Sequence, residues 1–124
     1  MLQKRPYART ARVAPSLQQG LAKILQSYYP VSQGDMLSVN AVELSKKLSF
    51  AKVFISIFYL QQKSAEDNRR KLEKYLSELN RQVPKIRHLL TSEIQLRCIP
   101  DLLFTHDETP EAAAKINSLL QRLT

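Results

Sequence analysis

Residues 51–59 read Ala51-Lys52-Val53-Phe54-Ile55-Ser56-Ile57-Phe58-Tyr59, the strongest strand signal in the 124-residue chain. The run is β-branched and aromatic almost throughout. Side chains alternate along a strand, so Val53, Ile55 and Ile57 share one face and Phe54 and Phe58 the other. Just upstream, residues 37–44 (Leu37-Ser38-Val39-Asn40-Ala41-Val42-Glu43-Leu44) alternate less regularly. The five residues between these runs, Ser45-Lys46-Lys47-Leu48-Ser49, suit the turn of an antiparallel hairpin.

Towards the amino terminus, Val13 or Leu17, Leu21, Ile24 or Leu25, and Tyr28 recur at helical spacing. The helix is expected to begin near Pro15, whose fixed φ suits a first turn, and to stop at Tyr29-Pro30. Gly20 weakens its interior by about 1 kcal/mol relative to alanine, which predicts a close neighbour there. Residues 1–12 hold Lys4, Arg5, Arg9 and Arg12 with no acidic partner. They are read as a flexible basic arm, leaving 13–124 as a single domain.

Towards the carboxyl terminus the spacing predicts a helix over 66–82. On a wheel of 100° per residue, Leu72, Leu76, Leu79 and Val83 fall between about 180° and 240°, while Arg70, Lys74 and Arg81 lie within about 40° of one another on the opposite side. Pro84 ends or bends that helix at 82–84, and helical character resumes through Ile86, Leu89, Leu90 and Ile94. A third strand is expected at 102–106 behind Ile99-Pro100. Asp107-Glu108-Thr109-Pro110 then forms a turn, with Thr109 an N-cap and Pro110 opening a closing helix through Ala112, Ala113, Ile116, Leu119, Leu120 and Leu123. The expected class is α+β, in the order α-β-β-α-α-β-α.

Charge supplies the first functional direction. Nineteen Lys and Arg against eleven Asp and Glu give a net +8. Residues 98–124 carry Lys115 and Arg122 against Asp101, Asp107, Glu108 and Glu111, a net −2 that leaves +10 on the first 97 residues. Such an excess points to a polyanion that touches the front or middle of the chain. The ridge of Arg70, Lys74 and Arg81 is the leading candidate, because a basic stripe backed by a buried one is a rigid surface for phosphates. Lys46 and Lys47 either solubilise the hairpin turn or face RNA, and the amino-terminal arm either stays solvated or orders on RNA.

Other chemistries lack their parts. The two glycines, Gly20 and Gly34, form no Gly-x-x-Gly or other phosphate cradle. One cysteine and two histidines complete no usual zinc set, so no metal or cofactor is expected. His106, Asp107 and Glu108 form the one tight titratable cluster and read as turn and cap residues. His88 reads as an exposed helix residue and Cys98 as half-buried. Tyr28, Tyr29, Tyr59 and Tyr75 either stack on bases or belong to the core. No apolar run approaches the roughly 20 residues of a membrane span, and the start is not that of a secretory leader, so a cytoplasmic protein with no membrane partner is expected.

Several blocks in this order resemble the ribosome-binding factor A family. They are Arg12-Val13-Ala14, Val39 to Ser45, Leu48 to Ser56, Ile86-Arg87 with Leu90, and above all Leu96-Arg97-Cys98-Ile99-Pro100-Asp101-Leu102-Leu103-Phe104-Thr105-His106-Asp107-Glu108. The resemblance implies a KH-like fold, a three-stranded sheet with helices on one face, without the Gly-x-x-Gly loop. It implies a monomeric, non-enzymatic factor that binds the small ribosomal subunit and its rRNA. Late maturation of that rRNA, processing of its 5′ end and cold adaptation are implied with it, and an assembly GTPase as partner is left open. A generic KH-like RNA chaperone acting on single strands is the alternative.

Where the family has an Ala-x-Gly kink between two helices, this chain has Gln82-Val83-Pro84. Carried over by position, the match marks Ser45, Ser49, Lys52, Arg87, Arg97, Pro100 and Asp107. Arg87 and Arg97 either contact phosphate or pair with Glu93 or Asp101. The expected rRNA-binding set is therefore Arg70, Lys74, Arg81, Lys85 and Arg87, with Lys46, Lys47, Lys52, Arg97, Arg9 and Arg12 around it.

Overall fold

The computed structural model describes residues 5–31, 35–60 and 64–108. The elements are α1 (Arg5–Tyr28), β1 (Met36–Leu44), β2 (Phe50–Phe58), α2 (Ala65–Arg81), α3 (Val83–Glu93) and β3 (Asp101–His106). The sheet order is β1-β2-β3, with β1 antiparallel and β3 parallel to the central β2. The short turn makes the first pairing, and α2 and α3 supply the crossover that a parallel pairing requires. The closing helix expected over 112–123, with Thr109 and Pro110 at its start, lies outside the described residues.

One core joins Leu17, Leu21, Ile24 and Leu25 of α1 to Val39, Ala51, Val53, Ile55, Leu102 and Phe104 of the sheet, and to Leu79, Val83, Ile86 and Leu90 of α2 and α3. All three helices therefore cover the same sheet face. Each fully buried leucine or isoleucine contributes about 1.5–3 kcal/mol through removal of its surface from water.

The first helix stops before Tyr29-Pro30 as expected but departs from expectation at its start and in one residue of its apolar stripe. It starts at Arg5 rather than near Pro15, so the described part of the segment read as an arm is helical. Ala8, Ala11 and Ala14 stand there among arginines, all strong helix formers, and the helix runs on through Pro15. At the other end Tyr28 is 57% exposed and does not extend the apolar stripe. Gly20 behaves as expected. A Cβ there would stand 3.2 Å from Leu90 Cδ2 and 3.3 Å from Ile94 Cγ2, so the missing side chain is what lets α1 approach α3.

The irregular alternation of β1 has a local cause. The register shifts between Val39 and Ala41, leaving Asn40 as a bulge. Gln18 of α1 donates to Val39 O at 2.8 Å, while the Asn40 amide donates to Ser56 Oγ and, at 3.1 Å, to an Asp107 carboxylate oxygen. Asp107 N–H also donates to Ile55 O at 2.8 Å. The buried Asp107 thus ties the end of β3 across β2 to the bulge, a structural role.

Candidate nucleic-acid interface

Local chemistry explains why α2 holds its charges outward. Ser64 caps the helix, its Oγ accepting from Asp67 N–H at 3.1 Å, and Glu66 and Asp67 occupy the first turn with Arg81 in the last. Both placements complement the helix dipole. Leu72 and Leu79 are the buried anchors. Opposite them Arg70, Lys74 and Arg81 are all exposed, the two arginine side chains at 72% and 69%. The three share one side of α2, and none of the described residues buries them.

Two of these cations have partners on their own helix. Arg70 donates to Glu66 at 2.9 Å, and Arg81 donates to both carboxylate oxygens of Glu78 at 2.6 and 2.7 Å. The Arg81 hydrogen bonds hold the Glu78 carboxyl below its usual range, and the same contact raises Arg81. Exposed pairs of this kind gain little in water and are screened by salt, so a phosphate competes with them readily. Lys74 has no ion pair among the described residues.

The ridge turns at the helix junction. Gln82 separates α2 from α3 with φ −94° and ψ 9°, and its N–H donates to Glu78 O and Leu79 O, both at 3.0 Å. Pro84 sits in the first turn of α3, where its missing N–H costs nothing. Gln82-Val83-Pro84 therefore joins two helices, and Lys85 follows, exposed, on the second. Arg87 does something else. Its guanidinium donates to Ile99 O at 2.7 Å and to Pro100 O at 3.1 Å, pairing with neither Glu93 nor Asp101. It anchors the approach to β3, directly ahead of the buried Pro100.

The remaining candidates lie on other elements. Lys46 and Lys47 are exposed at the hairpin turn. That turn is held by Ser45 Oγ, which accepts from Ser49 N–H and Phe50 N–H, each at 3.1 Å. Lys52 lies on the sheet face away from the helices, opposite Glu43 in register and 5.4 Å from the Phe54 ring centre. Arg97 and Arg12 are exposed, Arg12 on α1, and Arg9 lies earlier on α1 where the backbone alone is described.

His88 is exposed as expected, but so is Cys98, because the chain between α3 and β3 has no regular structure to cover it. Tyr59 and Tyr75 are half-buried, with hydroxyls donating to Asn68 O at 3.0 Å and Tyr29 O at 2.6 Å. Burial raises both phenols, with Asp35 adding to the effect on Tyr59, so both stay protonated donors.

Three residues escaped the sequence reading. Arg69 is exposed on α2, on the flank of the apolar stripe rather than on the ridge. Lys71 pairs with Asp35 at 2.6 Å, bridging α2 to the start of β1. Asn80 donates to Phe104 O at 3.1 Å and accepts from Phe104 N–H at 2.8 Å, fastening α2 to the free edge of β3. A polar residue about 40° from Leu76 on the wheel, at the margin of the apolar stripe, was the one available signal for Asn80.

A family model described as ribosome-binding factor A matches residues 9–120. The chain belongs to that family. The ribosome-binding factor A of Buchnera aphidicola (strain Tuc7) is 34% identical over 119 residues, 95% of each chain. That of Shewanella sp. (strain W3-18-1) is 31% identical over 117 residues, 94% of this chain and 74% of the relative. Among solved structures, ribosome-binding factor A from Thermus thermophilus aligns with a TM-score of 0.59 at 25% identity, over 77% of this chain and 92% of its own. A homology model of the Thermus thermophilus factor, fitted into a cryo-EM map of a 30S–RbfA complex, aligns with a TM-score of 0.54 at 25% identity, over 74% of this chain and 88% of its own.

Proposed function

We propose that this chain binds the small ribosomal subunit through rRNA phosphates, and that it assists late maturation of that RNA, including processing of its 5′ end, without making or breaking a bond. The exposed ridge of Arg70, Lys74 and Arg81, backed by buried Leu72 and Leu79, carries the reading. Lys85 extends it past the helix junction. Membership of a ribosome-binding family, together with the Thermus relative fitted into a 30S complex, supports the choice of partner. Binding selects one conformation of the immature RNA and ends when that conformation changes.

Salt dependence tests the electrostatic part. Arg87 is held by carbonyls, so four phosphate contacts remain from the expected five, and log affinity should fall with log salt at a slope of about −3. A slope near zero overturns the phosphate model. Tighter binding to unstructured single strands than to small subunits favours the RNA-chaperone alternative.

A further inference from the structure

Beside the ridge lies a cleft of about 490 Å³ between α2 and the start of the sheet. Tyr59, Tyr75, Ile57 and Val31 give it apolar and aromatic walls, and Lys71 and Lys74 stand in its lining. Its size is that of a small-ligand site rather than a packing defect. We infer that this cleft receives one unpaired ribonucleotide, its base against Tyr59 and Tyr75 and its phosphate on Lys74. The inference rests on the RNA-binding reading and adds a base-recognition site to it.

Three observations carry this. Both tyrosine rings are fixed by hydroxyl hydrogen bonds to backbone carbonyls, so little side-chain freedom is lost when a base packs on them. Of the two carboxylates in the lining, Asp35 is paired with Lys71 and Glu78 with Arg81, which lowers their repulsion of a phosphate. Lys74 belongs to the ridge and to the cleft at once, and it has no ion pair among the described residues. A strand of RNA lying along Arg70 and Arg81 therefore meets the cleft without changing direction. The cleft needs no glycine loop, because side chains rather than backbone amides meet the nucleotide.

The test is NMR of the isotope-labelled full chain titrated with nucleoside 5′-monophosphates and, separately, with inorganic phosphate. The expected result is nucleotide-dependent shifts at Ile57, Tyr59, Lys71 and Tyr75 that phosphate alone does not produce. Tyr59→Leu should weaken that nucleotide binding about tenfold, the lower range for loss of one base–aromatic stack. Tyr59→Phe, which keeps the ring, should retain it. Identical shifts with phosphate and nucleotide, or shifts at Arg70 and Arg81 with none in the cleft, overturn the inference and leave the ridge standing. Nucleotide shifts in the cleft of a protein that fails to co-sediment with small subunits support the cleft and overturn the ribosomal reading instead. If Tyr59→Leu does not fold, Lys74→Ala replaces it, and undiminished nucleotide binding in that variant overturns the inference.

Discussion

Arg81 and Arg87 stand six residues apart on either side of the helix junction, and their guanidinium groups have opposite fates. Arg81 projects into water and shares itself with a carboxylate of its own helix. Arg87 folds back and satisfies two carbonyls where the chain enters β3. The same residue type, both positive and both matching an expected RNA surface, makes an exchangeable contact in one place and a structural one in the other. What separates them is the neighbouring backbone. The approach to β3 leaves carbonyls without strand partners, and Arg87 is the donor that reaches them, while Arg81 finds its partner in Glu78 of its own helix.

Breaking the ridge as a whole is the sharpest way to test this contrast. Reversing Arg70, Lys74 and Arg81 together to glutamate should weaken small-subunit binding by at least about a hundredfold at low salt, since three phosphate contacts become repulsions. The midpoint of thermal unfolding should fall by only a few degrees, from the like-charge pairs the new glutamates make with Glu66 and Glu78. Undiminished co-sedimentation with small subunits would move the binding surface away from α2. Next in size, Arg87→Ala should lower the unfolding free energy by about 2 kcal/mol, read by chemical denaturation, because two buried-side carbonyls lose a charged donor. Arg87→Lys should recover only part of it, a single ammonium lacking the fork that spans both oxygens. An Arg87→Ala protein that keeps its stability but loses ribosome binding would place Arg87 back among the phosphate contacts. Smallest of all, Arg81→Ala alone should move the midpoint of thermal unfolding by no more than about 2 °C while measurably reducing the salt slope of binding.

The fold was legible wherever period and punctuation agreed. Alternation over 51–59, the five-residue turn after Leu44, the leucine stripe of α2 and the prolines at 84 and 100 each found their place, because each reports a local preference that the core then reinforces. The family blocks that suggested the resemblance sit largely at structural positions. Ser45 holds a turn, Arg87 and Pro100 set the entry to β3, and Asp107 closes the bulge.

Three things were hidden because they depend on what is far away in sequence or on a choice between equals. The start of α1 rested on one proline, and proline is ambiguous between opening a helix and interrupting it. The bulge at Asn40 is fixed by Gln18 and Asp107, residues on two other elements. Of the candidate site, the side of α2 was readable from a wheel, but the wheel does not show Arg70 and Arg81 sharing their charge with their own glutamates, although the spacings of four and three residues allow it. Lys52 shows the opposite limit. A strand residue in a basic chain looks like a member of the surface until the sheet is seen to stand between it and the ridge.

The parallel pairing of β2 with β3 has a mechanical corollary. The charged helix is the middle of a loop whose two ends are stitched side by side into one sheet, and Asn80 adds a stitch of its own to Phe104. A pull exerted on the helix would therefore be borne in shear by neighbouring strands.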